Sequence, residues 1–268
     1  MRQITLPLTD IDLSKFVFGT ANIIRAGTYK QRCYLLEEAV SQGFSHFDTA
    51  PYYGFGMAER DLAPVLKRNP SLTFTTKVGL YPPGNDSQSF YQIMGRKLIG
   101  RLVTPLSRPS IDFTIDRARV SLEGSLRRTG RETIDIYLLH EPHLQLLNVD
   151  EWRIWMEKCV AAGKIGTFGI AADSQNLEPF LQNANTLCPI VQTLDSLEMR
   201  QADVLKRYGR PFQITYGYIS GSKKAGSANS IATVLEMAIG RNPHGAIVVS
   251  TTKPHRIAQY RSVAERLS

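Results

Sequence analysis

The sequence predicts an α/β protein built as a (β/α)8 barrel of the TIM type, preceded by a short N-terminal hairpin. Three observations predict it. Eight short apolar runs recur along the chain, each too brief for a helix and each followed by a segment with helical rhythm. The length of 268 residues is long for an ordinary domain and normal for one barrel, so residues 1–268 read as a single barrel domain. Strands two to four each carry a polar side chain at the C-terminal end, which is where parallel barrels place their chemistry.

Taken in order, Arg2 to Phe18 alternates apolar and polar residues around a Leu-Thr-Asp turn, the pattern of a small hairpin leading into strand one. Strand one is Val17–Thr20, and the helical rhythm from Thr28 to Ser41 is closed by Gly43. Strand two is Phe44–Asp48, followed by a helix over Ala58–Lys67 and strand three over Leu72–Lys77. Gly79 to Ile111 then breaks the pattern with four prolines and four glycines. It is too long for an ordinary connection, so it reads as part of the substrate entrance, with a short helix over Phe90–Ile99.

Alternation resumes with a helix over Thr114–Arg128, capped after Gly130, and strand four over Ile134–His140. A helix over Trp152–Ala161 leads to strand five, Thr167–Ala171, and a short helix over Glu178–Asn183 leads to strand six, Ile190–Thr193. Helix Ala202–Tyr208, strand seven Phe212–Tyr216, helix Ile231–Ile239, strand eight Ala246–Ser250 and helix Arg256–Arg266 complete the set.

Composition narrows the classes of function. Apolar content of 43% with 21% charged residues is that of a soluble globular protein. No run approaches a membrane span and the N-terminus lacks a basic-then-apolar signal, so a cytoplasmic protein is expected. Cys33, Cys159 and Cys188 are far apart, without metal-ligand spacing, and read as reduced, buried cysteines; no metal site is expected. The net charge of +8 is spread along the chain rather than gathered in a block. That distribution favours a basic surface, or a mouth attracting an anionic cofactor, over nucleic-acid binding.

The stretch Gly43–Glu59 organises the rest. Asp48 ends a strand, and Pro51, Gly54 and Gly56 then turn the chain sharply, so Tyr53 in that loop points into the same space. A tyrosine serves as a general acid when its proton is made easier to lose than its usual pKa near 10 allows. A lysine ammonium beside it favours the phenolate, and an aspartate holds that lysine charged. Taken singly, Tyr53 reads as a loop aromatic, Lys77 and Asp48 as a barrel-mouth ion pair, and His140 as a core histidine. Their conjunction at successive strand ends points to catalysis. His46 and His143 lack that support and read as structural.

The same residues closely resemble the aldo-keto reductase signature. Asp48 and Tyr53 match its aspartate and tyrosine, Lys77 its lysine in Phe74-Thr-Thr-Lys-Val-Gly79, and His140 its histidine in Asp135-Ile-Tyr-Leu-Leu-His-Glu-Pro142. The resemblance runs from about Phe16 to Tyr260. It implies hydride exchange with a nicotinamide, with Tyr53 as acid/base, Lys77 and Asp48 tuning it, and His140 orienting a small carbonyl or alcohol substrate. Gln192 falls where the family's glutamine holds the nicotinamide carboxamide, and Tyr216 resembles the tyrosine that stacks on the ring. Gly19 and Thr20 end strand one as further cofactor contacts, and the backbone from Gly217 to Ser222 is offered to the pyrophosphate. Ser250, Thr251 and Arg256 stand at the start of the last helix, a natural anion site. Arg256 aligns with the arginine for the adenosine 2′-phosphate, so NADP(H) is favoured over NAD(H).

Two departures stand out. Where the family carries Gly-Val-Ser-Asn, this chain has Gly169-Ile-Ala-Ala172 followed by Asp173 and Ser174, so the Ser and Asn contacts to the carboxamide are absent. The chain also ends soon after its last helix, without the longer tail of many members. The segment Asp112–Arg127 resembles the sugar-dehydrogenase branch, which implies aldose-type oxidation. The rival readings are a general carbonyl reductase and a non-catalytic, cofactor-binding regulatory subunit of the same fold.

Overall fold

A computed structural model describes residues 1–82 and 109–266. The predicted hairpin is present: β1 (Gln3–Thr5) and β2 (Asp12–Ser14) pair antiparallel, with Ile4 opposite Leu13. Leu6 and Leu13 are buried against Val17, Ile136, Ile190, Ile214 and Ala246, residues from the opening turns of five barrel strands. The hairpin therefore plugs the N-terminal end of the barrel.

Barrel strands follow as β3 (Phe16–Gly19), β4 (His46–Asp48) and β5 (Thr73–Val78). A two-residue strand β6 (Leu80–Tyr81) then pairs antiparallel with β7 (Ser110–Ile111), clamping the base of the insertion expected over Gly79–Ile111. The helix expected over Phe90–Ile99 lies outside the described residues. The barrel continues with β8 (Ile134–His140), β9 (Ile165–Ala172), β10 (Ile190–Leu194), β11 (Ile214–Tyr216) and β12 (Ala246–Val249). All eight barrel strands are parallel, and β12 pairs with β3 to close the ring.

Helices α1 (Tyr29–Ser41) and α2 (Met57–Arg68) follow β3 and β4, and α3 (Ile115–Thr129) follows β7. Then come α4 (Val149–Ala161), α5 (Ser174–Asn183), α6 (Asp203–Arg207), α7 (Tyr218–Lys224), α8 (Ile231–Arg241) and α9 (Pro254–Arg266). Side-chain caps set the starts. Thr28 forms a reciprocal capping box with Gln31, and Thr114, Asn148, Asp173 and Ser230 each accept a backbone amide three residues on.

These caps correct several expected bounds. Helix α4 starts three residues before Trp152 because Asn148 caps it, and α5 starts at Ser174 rather than Glu178 because Asp173 caps it. Strand β4 starts at His46 rather than Phe44, because the Phe44 amide is spent on the Ala39 carbonyl closing α1. Strand β11 starts at Ile214 rather than Phe212. The glycine-rich stretch after it is not an open loop: Gly217 begins the helix α7. Of the cysteines, Cys159 and Cys188 are buried as expected, whereas Cys33 is half-buried; all are free.

Strand alternation splits the apolar core into two layers. Phe18, Phe47, Phe74, Tyr137, Ile170 and Val249 face outward and pack beneath the helices. Val17, Ile136, Leu138, Ala171 and Ala246 face inward. Buried ions are paired. Glu59 on α2, fully enclosed, accepts Arg128 Nε at 2.6 Å and Thr76 Oγ1 at 2.7 Å, tying α2 and α3 to the strand that carries Lys77.

His46 on β4 is fully buried, its ring nitrogens 2.7 and 2.8 Å from the Thr73 and Thr75 hydroxyls. Burial, aided by the charge of Lys77, pushes its pKa down to about 3. In the unfolded chain the ring titrates near 6.5, so below that pH the unfolded state takes up a proton that the folded state refuses. Stability is lost as pH falls below about 6.5, by about 1.4 kcal/mol per pH unit. Urea unfolding should therefore show a loss between pH 7 and pH 5 that is about 2 kcal/mol greater for the native chain than for His46→Gln. Identical losses would mean that His46 titrates normally.

Candidate active site

The C-terminal ends of the barrel strands surround a cavity of about 410 Å³. Asp48, Tyr53, Lys77, His140, Gln192 and Tyr216 all line it, so six of the residues singled out in the sequence meet in one space. Among the described residues there are also larger hollows, of about 640 Å³ around Leu8 and Arg210 and of about 780 Å³ around Tyr29 and Met57. Neither contains the acid/base set, and the chemistry rather than the volume selects the rim.

Register explains the convergence. Asp48 lies opposite Thr75, so Lys77 stands one inward-facing position further along β5 and leans back over the end of β4. Its Nζ donates to both Asp48 carboxylate oxygens at 2.8 and 2.7 Å and to the Thr49 carbonyl at 2.9 Å. It also reaches the Tyr53 hydroxyl at 3.3 Å. Tyr53 is aimed by a tight loop in which Gly54, Phe55 and Gly56 all have positive φ. A Cβ on Gly54 would fall 2.0 Å from Ile24 Cδ1, so glycine is required there. His140 ends β8 with its ring edge-on to Tyr53, centroids 5.9 Å apart.

Electrostatics departs from the simplest expectation. Burial raises the Tyr53 pKa, and Asp48 and Glu141 raise it further, so the phenol holds its proton despite Lys77. Burial lowers the Lys77 pKa, while Asp48 opposes that shift. Burial and the charge of Lys77 also hold His140 well below the usual histidine range, so its ring is neutral near pH 7.

Gln192 donates Nε2 to Asp48 Oδ2 at 2.8 Å, and its Oε1 is buried without a partner. Tyr216 donates its hydroxyl to Glu141 Oε1 at 3.3 Å. Gly19 lines the cavity, whereas Thr20 is fully buried with its amide and hydroxyl on the Asp48 carbonyl, at 2.9 and 3.0 Å. Gly217 and Ser250 also line the cavity. Gly217 has φ 106°, and a Cβ there would fall 2.5 Å from Leu194 Cδ1. Thr251 is folded into the turn before α9, its hydroxyl accepting the Lys253 amide at 3.0 Å, and Arg256 is half-exposed in the first turn of α9. Among the described residues no cluster is suited to a metal ion.

The profile of the Aldo/keto reductase family matches residues 15–192. The chain belongs to this family. It is 28% identical over 170 residues to the D-threo-aldose 1-dehydrogenase of a Pseudomonas species, covering 58% of this chain and 49% of that protein. It is 29% identical over 140 residues to the 6-dehydroglucose reductase of Agrobacterium fabrum, covering 51% of this chain and 41% of that protein. The chain thus spans about half the length of the curated relatives it matches. Among solved structures, the glycerol dehydrogenase of Gluconobacter oxydans superposes with a TM-score of 0.73 at 20% identity, covering 97% of this chain and 89% of that one. That likeness establishes the barrel.

The departure from the aldo/keto reductase pattern at Ala171 and Ala172 lies at the end of β9. Ala171 faces the cavity and Ala172 packs outward, its carbonyl accepting Thr193 Oγ1 at 2.8 Å. Asp173, which follows this pair of alanines, caps α5 by accepting the Asn176 amide at 2.9 Å. The residue that does fill this corner is Glu141, a functional candidate that the sequence pattern does not single out. Its only sequence signal is a carboxylate directly after a strand-end histidine.

Asp173→Ala should accordingly cost about 0.5–2 kcal/mol of stability, the ordinary worth of an N-cap. Cofactor affinity should hardly change. Parallel chemical denaturation and cofactor titration check this, and a selective loss of affinity would place Asp173 in the binding site.

Proposed function

We propose that this protein is a nicotinamide-dependent oxidoreductase interconverting carbonyl and alcohol groups on a small substrate, with Tyr53 as acid/base. One observation carries the reading: Lys77 Nζ bridges the Asp48 carboxylate and the Tyr53 hydroxyl inside a cavity that also holds His140. The relatives named for aldose oxidation and dehydroglucose reduction support a sugar-like or polyol substrate. The intact quartet argues against a non-catalytic subunit. Free cysteines and the absence of any long apolar helix among the described residues suit the cytoplasmic reading.

A bound nicotinamide supplies the hydride that no side chain here can give. The residues fit such a group: Gln192 Oε1 is a buried acceptor awaiting a donor, and Gly19 and Gly217 keep the wall open. In the reducing direction the protonated Tyr53 gives its proton to the substrate oxygen as negative charge develops there. Lys77 then holds the phenolate left behind, and Asp48 keeps Lys77 charged and aimed. His140, neutral, orients the substrate oxygen by hydrogen bonding rather than by charge. Arg256 favours NADP(H), while Ser250, standing where many members carry a lysine, and a relative named as an NADH-specific methylglyoxal reductase, 28% identical over 193 residues, keep NAD(H) as the second choice.

Tyr53→Phe removes the proton donor without disturbing the fold. Turnover of NADPH with a panel of aldoses and aldehydes should fall by about 10²–10⁴. Near-normal turnover by the folded variant would overturn the assignment.

Arg256→Ala tests the adenosine end separately. Loss of a charge-assisted bond should weaken NADPH about ten- to a hundredfold and leave NADH nearly unchanged. Equal losses for both, measured by fluorescence quenching, would put the 2′-phosphate elsewhere.

A further inference from the structure

Glu141 follows His140 at the end of β8 in a left-handed conformation, φ 49°, that side chains seldom adopt outside strained functional positions. Its amide donates to the Ala171 carbonyl at 2.7 Å, so the backbone is locked. The side chain leans over the end of the neighbouring strand β9 toward Tyr216 at the end of β11. Oε2 accepts the Asp173 amide at 3.2 Å and Oε1 the Tyr216 hydroxyl at 3.3 Å. The Asn176 side chain also donates to this carboxylate. All three donors are neutral, and the bonds from Asp173 and Tyr216 are long, which leaves acceptor capacity toward the cavity.

No cation pairs with Glu141 among the described residues. Lys77 shares its cavity, but Nζ is already spent on Asp48, Thr49 and Tyr53. The other charged groups lining the space are Asp48 and Lys77, which cancel. Among the described residues, the lining of the reaction cavity thus carries one surplus negative charge, on a residue with left-handed backbone. A half-buried unpaired carboxylate is costly unless an incoming group neutralises it.

We propose that Glu141 is the counter-charge of the oxidised nicotinamide ring, so that the protein binds NADP+ in preference to NADPH and leans toward alcohol oxidation. This rests on the function proposed above. Hydride and proton must reach the same substrate carbonyl, so the ring has to lie within the cavity that Tyr53 and Glu141 both line. The two redox forms of the cofactor differ by one positive charge on the ring. Phosphate contacts, including any from Arg256, meet both forms alike, and only a charge at the ring end separates them. Among the described residues that line the cavity, Glu141 is the charge without an ion-pair partner.

The test is the ratio of dissociation constants for NADPH and NADP+, with 2′-phospho-ADP-ribose as a probe that lacks the ring. Glu141→Gln removes the charge at constant shape. Glu141→Gly removes the same charge and relieves the left-handed backbone, so a folding defect in the first variant leaves the second to decide. Both variants should lose about tenfold of the preference for NADP+, the scale of a unit charge pair in a half-solvated cavity, with the ring-less probe unchanged. An unchanged ratio overturns the proposal, as does equal weakening of both redox forms, which would mark Glu141 as structural or as a contact for substrate. Failure of the native chain to bind NADP(H) and NAD(H) in any form would sink the proposed function as well. Tight binding with an unchanged ratio sinks this inference alone.

Discussion

The site depends on a single buried ammonium. Lys77 Nζ has three protons and four oxygens around it: both of Asp48, the Thr49 carbonyl and the Tyr53 hydroxyl. A buried ion pair of this kind is weak evidence for stability, because desolvation offsets much of the Coulomb attraction. Its worth here is positional. Removing either partner leaves an uncompensated charge inside the barrel, so Asp48 and Lys77 hold each other to one geometry. Tyr53, which comes from a loop, takes its place from them.

The barrel supplies that geometry cheaply. Adjacent parallel strands put Asp48 and Lys77 on the same inner face, two residues apart in height, and the slant between β4 and β5 lets the lysine reach back. Further support comes from outside the barrel wall. Glu59 receives Thr76, the neighbour of Lys77, and is pinned in turn by Arg128 from α3. Within the wall, Gln192 steadies Asp48 from the opposite side. Thr20 does the same for the Asp48 main chain, a supporting task rather than the direct cofactor contact expected of it.

Much of this was legible in the sequence. Short apolar runs and helical rhythm are periodic signals, and the bounds of β8 are legible to the residue because Ile134–His140 is apolar apart from Asp135 and ends on a polar residue. The quartet was legible because strand ends are predictable once strands are. What escaped depends on single contacts without a period. The start of α5 hangs on one aspartate cap, and α7 on one glycine that can turn left-handed. Glu141 was missed for the same reason: its approach to Tyr216 joins residues far apart in sequence through a left-handed turn that no local pattern announces for glutamate. Gln192 was placed in the right cavity, but its bond to Asp48 is visible only once β10 faces β4 across the barrel.

The protonation states left by burial are not neutral between the two directions of reaction. Desolvation, Asp48 and Glu141 all keep the proton on Tyr53, which suits the donor needed for carbonyl reduction. Alcohol oxidation needs the opposite, a tyrosine able to accept a proton, and Lys77 alone cannot offset two carboxylates in a dry cavity. A positive charge arriving beside Glu141 changes that balance, since it cancels one of the two fields holding the proton in place. Tyr53 then gives up its proton more readily when the ring is oxidised, leaving the phenolate that alcohol oxidation needs, and keeps the proton when the ring is reduced, as carbonyl reduction needs. Glu141 would thereby couple the proton on Tyr53 to the redox state of its neighbour through electrostatics alone, with no moving part, which accounts for a carboxylate kept unpaired in the cavity.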